Sequence, residues 1–529
     1  MSRVGWRATR ARHAARRVRT PIRDAAVRIH SLHDMHLPHS RSRARRAVAR
    51  VAVLSLALLA LLAPRGRAGA LDGTWTGHVT APQGPAVLTL AFAGTAPGRA
   101  KMTFDMPVMH CHAVAFDPPA EFRDSVWVFE PLGMTWRVDG NRLVGRFGSA
   151  GLPMELRRGG AFAPVERAAA FPAGPAPRWR HPLGAPTRAT PVVRDGVVYV
   201  GAIDGRFHAV RAADGGDVWT WSGPAAIDGR AALAGDAVYF VDRAFTLIRL
   251  DRATGALRWT AGLYDSTLTG TPAPENPTFN RRTVTPLVVD SLVYAGSADG
   301  GFYCLDAATG AVRWRWNAGS PVFSPATLAG ADSVAFGCMD GSIVVLDRHT
   351  GTGDVRARAG GAVVTTPVFV RDRLVVGSRD YTVAAFDAAT GEPAWSHSYW
   401  FSWVESTPAV DGDVLYVGAS DYRRVTAFDA ATGRARWAVD VRGMSWGTPV
   451  VAGDVVYAAT AAQNLPGTLI HHEGGIVAID RRTGRVRWRV AAAPPPDNGF
   501  GGYAGSLALD SGTLFAAGFD GDLVALPVR

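Results

Sequence analysis

Two groups of residues in this chain have types and spacings suited to chemistry. The run Met109-His110-Cys111-His112 sets two histidines two positions apart, so on a strand His110 and His112 share one face and Met109 and Cys111 the other. Copper or zinc uses such ligands, but a metal needs three or four convergent donors and each face supplies two; ordinary packing is the expectation, and His110 and His112 are the metal candidates. The second group is scattered: Arg188, Arg230, Arg282, Trp403, Glu405, Trp446 and Tyr503 each stand just ahead of a recurring β-rich unit. An insertion, 461–474, adds His471, His472 and Glu473, and a second, 263–284, lies before another unit. Brought around one opening, these cations and aromatics suit an acidic, flat or peptidic ligand. Taken one at a time, each is read first as a solvated loop side chain.

What must bring them together is a repeat. Its clearest copy runs Thr407-Pro408-Ala409-Val410-Asp411-Gly412, then 414–418, then Val425 to Gly433, and ends at Trp437; related copies start at Thr190, Thr285, Ser324, Thr366 and Thr448, with a weaker one near Gly229. Short β-branched runs alternate with turn residues, which predicts four strands and one small sheet per copy. Asp204-Gly205, Asp299-Gly300, Asp340-Gly341 and Asp520-Gly521 fall between the second and third strands, where Asp-Gly supplies the positive φ of a tight hairpin. The aspartates of Asp306–Gly310, Asp387–Gly391 and Asp429–Gly433 are placed to accept hydrogen bonds from their own turn, a structural and not a catalytic task.

Fourth strands carry Trp219, Trp259, Trp314, Trp395, Trp437 and Trp488, with Val355 in the fourth copy, and a large flat ring suits the seam between neighbouring sheets. The last copy stops at Pro527-Val528-Arg529 without a Trp strand, while Trp179 stands orphaned before the first. Joining the two fragments closes a ring of eight sheets and leaves no open neighbour interface. The fold class expected is therefore all-β, an eight-bladed β-propeller over 177–529.

The copies resemble the pyrroloquinoline-quinone repeat shared by quinoprotein dehydrogenases and by the propeller lipoprotein of the outer-membrane β-barrel assembly machinery. The motif marks the blade and not the activity, because its recurring residues serve turns and packing. The resemblance implies two functions. One is a non-catalytic binding or scaffolding propeller of the cell envelope, related to outer-membrane protein assembly, whose partner is an envelope protein or peptide, or a glycan at the same mouth. The alternative is a dehydrogenase holding pyrroloquinoline quinone (PQQ) with calcium, parts of which Trp446, Arg188, Arg230 and Glu405 can mimic. No adjacent-cysteine pair and no Cys-x-x-Cys-His haem motif accompanies that alternative.

Ahead of the propeller, 71–158 holds short alternating runs opened by Gly73-Thr74-Trp75-Thr76-Gly77, which predicts a small antiparallel β module with a faint resemblance to lipocalin-like domains; 159–176, rich in Ala, Pro and Gly, reads as a linker. The stretch 1–70 reads as a basic leader and signal peptide: five arginines between Arg41 and Arg50, the apolar run Val51–Ala63, and a small-residue cleavage site at Ala68-Gly69-Ala70. Met35 is an alternative start. The apolar run is short for a span of about 20 residues, so membrane association is expected only through an uncleaved leader, and the location expected is periplasmic or secreted.

The formal charge of +12 belongs to the leader, whose sixteen arginines face only Asp24 and Asp34, leaving −2 for the rest. A nearly neutral body argues against nucleic acid as a partner. Three cysteines, Cys111, Cys304 and Cys338, are too few for a disulfide scaffold and read as buried apolar side chains.

Overall fold

A computed structural model describes residues 71–81, 84–96, 98–109, 111–148, 151–162, 169–264, 284–399, 402–463, 472–495 and 499–528. The leader lies outside them, as do Arg282, His471 and His110; His112 lies on a strand, but its side chain is not among those described. Among the described residues no helix is long and apolar enough to cross a membrane.

Eight strands come first: β1 (Gly73–Ala81), β2 (Gly84–Ala96), β3 (Arg99–Met106), β4 (Cys111–Arg123), β5 (Val126–Phe129), β6 (Met134–Asp139), β7 (Arg142–Phe147) and β8 (Leu152–Arg158). They form a closed antiparallel barrel in which β1 pairs with both β2 and β8. Trp75, Val79, Leu88, Leu90, Phe104, Met134, Trp136 and Leu156 fill its interior, so the barrel is a packed core, as its strand number allows. The opening motif makes the closure: Trp75 is buried and donates from Nε1 to the Leu71 carbonyl at 2.8 Å, with Arg158 over its outer face at 4.4 Å. A Cβ on Gly77 would stand 2.1 Å from the Glu155 carbonyl oxygen of β8, so the close approach that seals the barrel needs glycine there.

β9 (Trp179–Pro182) belongs to the last blade of the propeller. Six four-stranded sheets follow in chain order, beginning at Val192, Ala232, Leu287, Thr327, Val368 and Ala409, then a seventh beginning at Val450 that carries a fifth strand, and the eighth joins Ala508–Asp510, Thr513–Ala517 and Asp522–Pro527 to β9. The register pairs Leu523 with His181 and Ala525 with Trp179, so the ring closes where the orphaned Trp predicted. Each blade is an antiparallel meander whose second and third strands are almost wholly buried, and aromatic rings fill the spaces between blades: Phe302 stacks on Phe336 at 3.9 Å and Phe207 on Phe240 at 4.2 Å. Cys304 and Cys338 lie buried and free in one of these layers, and burial pushes the Cys304 thiol up to about 12.

The turn aspartates do the task expected of them. Asp306 Oδ1 accepts from the backbone N–H groups of Ala308 and Thr309 and from the Thr309 hydroxyl, Oδ2 accepts from Arg313, and these bonds, Arg313 foremost, hold its carboxyl at about 2. The seam tryptophans differ from expectation in one respect: they are half-buried, because one edge faces solvent while the ring covers the turn of the next blade. Part of the segment read as a linker is docked on the propeller. Gly174 N–H donates to the Arg489 carbonyl and Arg489 N–H to the Pro172 carbonyl, both at 2.8 Å, so this stretch lies along the outer strand Val486–Ala491.

Candidate functional site

Loops from second to third strands and from each blade to the next share one face, because antiparallel strands return the chain to that side twice. At this face the structure brings several of the scattered residues into two neighbouring groups. Between blades 5 and 6, Arg379 and Glu405 form a buried ion pair (Nε to Oε1 2.9 Å, Nη2 to Oε1 2.8 Å), and the Arg379 guanidinium also lies over Trp403 at 4.6 Å. Between blades 6 and 8, Trp446 donates from Nε1 to Ser420 Oγ at 2.7 Å and tilts against Phe500, which stacks on Phe519 at 5.5 Å. Arg188 of blade 1 lies over both phenylalanines, at 5.3 and 5.5 Å.

Arg230 is set apart. By surface area it is exposed, and the protein around it lowers its pKa by desolvation. Asp421 is likewise exposed by surface area, and desolvation, followed by the neighbouring Glu405 charge, raises its carboxyl above the usual range. Tyr381 completes the group, its phenol pushed up to about 12 by burial first and by Asp421 next.

Two candidates lie beneath the rim. Tyr503 is 2 % exposed in the packed layer between blades 7 and 8, where burial pushes its phenol up to about 12, and His472 is 8 % exposed. Around them blade 7 is enlarged: its second strand runs on to Gln463 and pairs there with Phe500–Gly502, Ala461 opposite Gly502.

Arg379, Tyr381, Asp421 and Phe519 were not singled out in the sequence. A signal for them exists: Arg379, Ser420 and Phe519 each follow the second strand and immediately precede the hairpin aspartate. A backbone signal does not. Where other blades use glycine in this hairpin, blades 2, 5 and 6 hold Phe245, Tyr381 and Arg423 at φ of 56°, 72° and 53°. Bulky residues in the left-handed region are strained, and strain persists where surrounding structure over-determines it. Tyr422, in the same hairpin of blade 6, packs against both the barrel core and the core between blades 5 and 6, which sets the barrel beside this face.

PQQ with calcium does not fit these residues. Glu405, the carboxylate that reading uses, is taken by Arg379, and among the described residues no three His, Cys, Asp or Glu side chains converge as a metal site.

A ring of eight blades sealed by an N-terminal strand, with cations and aromatics at one mouth, defines a propeller of the pyrroloquinoline-quinone-repeat class. The family model described as outer membrane protein assembly factor BamB matches 167–326, 303–400 and 398–529, and the chain belongs to that family. BamB of Bordetella pertussis is 33 % identical over 111 residues, covering 21 % of this chain and 28 % of that protein. BamB of Yersinia pestis is 29 % identical over 154 residues, covering 27 % and 36 %. The chain thus spans roughly a third of the length of these curated relatives. A solved quinohemoprotein alcohol dehydrogenase, ADHIIG from Pseudomonas putida HK5, superposes with a TM-score of 0.51 at 13 % identity, over 69 % of this chain and 78 % of that one, a likeness of fold alone.

Proposed function

We propose that this chain is an exported propeller of the cell envelope that serves outer-membrane protein assembly by binding a polypeptide at its mouth, without catalysis. The observation that carries the reading is the match to the BamB family model, which runs through the propeller and not through one blade. The mouth supports it. Arg188 over Phe500 and Phe519, and Trp446 beside them, offer the mixed apolar and cationic surface that peptide side chains and carboxylates use. Arg230, Trp403, Arg282 and His471 belong to the same proposed face, with Glu405, His472 and Tyr503 supporting it from beneath. A periplasmic or secreted location follows from the leader, and the partner is an envelope protein or peptide, with a glycan as the other ligand this surface suits.

The test is photo-crosslinking in envelopes from a probe amino acid at Met339 or Phe519, on the mouth face, and at Arg482, on the opposite face. Capture of one defined envelope protein from the first two positions and not the third is expected. Equal capture from all three, or none, overturns the reading. Sustained dye reduction after adding PQQ and calcium would overturn the non-catalytic part.

A further inference from the structure

Where the ring closes, a cleft of about 430 Å³ remains between β9 and blade 1, lined by His181 on β9 and by Arg206, His208, Asp217 and Thr220 of blade 1. None of the mouth residues lines it. The two histidines are buried, His181 at 8 % and His208 at 5 % exposed, with ring centroids 6.2 Å apart. His181 Nδ1 lies 2.9 Å from the Gly215 carbonyl, which only accepts, so Nδ1 carries the hydrogen and Nε2 of the neutral ring offers a lone pair. That Nε2 stands 3.6 Å from Asp217 Oδ1, a second acceptor. His208 Nδ1 lies 3.4 Å from Thr220 Oγ1, while its Nε2 is buried with no partner among the described residues.

Two acceptors that face each other need a donor beside both. A metal ion requires three or four convergent ligands, and among the described residues no three converge. A primary ammonium, with three hydrogens and a positive charge, suits the pair. The other end of the cleft has the opposite sign. Arg206 Nη1 lies 3.0 Å from where a Cβ would stand on Gly184, just beyond β9, so glycine there leaves room for the guanidinium. Its Nε is 3.5 Å from Asp204 Oδ2, and among the described residues nothing bonds to either Nη. The register sets the spacing: Asp217 pairs with Val210, four residues along the strand from Arg206, so the two backbone positions are about 13 Å apart. His208, with its unmet Nε2, lies between them.

We infer that this cleft binds a short zwitterionic peptide, its ammonium between His181 and Asp217, its carboxylate at Arg206, and a peptide group between them bonded to His208 Nε2. An extended chain of three residues spans at most about 10 Å, inside the interval between the two charged ends. A peptide group offers both an N–H and a carbonyl, so it satisfies His208 Nε2 in either tautomer. The inference does not rest on the reading of the mouth, whose residues lie elsewhere in the ring.

Calorimetric titration of the full chain with triglycine, at about pH 7 where an ordinary imidazole is mostly neutral and a peptide amino group mostly charged, tests it. Saturable binding is expected. N-acetyl-triglycine, which lacks the ammonium, and triglycinamide, which lacks the carboxylate, should each bind at least about tenfold more weakly, because each loses a charge-assisted contact. Asp217→Asn and Arg206→Gln, both at exposed positions, should raise the Kd for triglycine by a similar factor, while Arg482→Gln on the opposite face leaves it unchanged. Absence of saturable binding by the wild type overturns the inference. So does equal affinity for triglycine and its two blocked forms, a comparison made on one protein that no folding defect can disturb. An unchanged Kd in both Asp217→Asn and Arg206→Gln also decides against it.

Discussion

The indole of Trp219 donates from Nε1 to the carbonyl of Arg252 in the next blade at 3.0 Å, and its ring occupies the space a Cβ on Gly255 would need, 2.7 Å away. Two features that recur separately in the sequence, a fourth-strand Trp and the glycine ending an aspartate turn, are thus halves of one joint. Trp179, Trp259, Trp314, Trp395 and Trp437 make the same bond to the following blade at 2.9–3.2 Å. Gly255 answers two demands at once, since its φ of +72° also disfavours any side chain.

Removing this joint should weaken the ring. Because the Trp219 ring is half-buried, Trp219→Ala is expected to cost about 2–3 kcal/mol, less than the about 3–5 kcal/mol of a fully buried Trp. Urea unfolding followed by far-UV circular dichroism reads the loss as a lower midpoint at an unchanged slope. A midpoint equal to wild type would count against the joint.

The fourth blade shows how a different residue fills the role. Val355 stands at the Trp position, and the neighbouring Arg356 makes the inter-blade bonds instead, its Nη1 donating to the carbonyls of Ala388 and Ala389, both at 3.0 Å. Arg356→Ala is expected to cost about 1–3 kcal/mol, the range for lost hydrogen bonds from a charged donor. Arg356→Lys, with one compact ammonium in place of a fork, should recover only part of it in the same unfolding assay.

How far the sequence could be read follows from the range of the forces involved. Turn aspartates, hairpin glycines and seam tryptophans were legible because each answers to a few residues in its own blade or the next. The ring closure was legible for the same reason, Trp179 lacking a strand and Leu523 lacking a partner. The mouth was legible only as a neighbourhood. Tyr503 and Arg188 look alike in the repeat, but one packs in a layer between blades and the other rises over Phe500 and Phe519, and that choice is set by the enlarged seventh blade. Arg379 escaped notice because its meaning lies in Glu405, a residue of the next blade.

That pair supports another expectation. The side chains of Arg379 and Glu405 are 8 % and 4 % exposed, so removing the carboxylate leaves a buried cation. Glu405→Ala is expected to destabilise by about 3–5 kcal/mol, and the double change Arg379→Met with Glu405→Leu to restore most of it, since apolar replacement of a buried pair is often neutral. Thermal melts of the single and double variants check this, and a double variant no better than Glu405→Ala alone would contradict it.

The closing seam also carries a pH dependence. His208 of blade 1 is 5 % exposed, its ring lies 6.2 Å from that of His181 on the closing strand, and both line a cleft of about 430 Å³ with Arg206, Asp217 and Thr220. Burial first, and the His181 ring next, lower the His208 pKa below its ordinary value. In the unfolded chain it titrates near about 6.5, so between that pH and the lower folded value the unfolded state binds the extra proton. The contribution of this group to stability is therefore complete above about pH 6.5 and declines as pH falls towards the folded pKa. His397, lowered by burial in the same direction, adds to the decline. Wild-type protein should lose urea stability from pH 7.5 to 5.5, and His208→Gln should lose less over that interval. Parallel pH profiles for the two proteins would show that the closing strand is not held by a neutral His208.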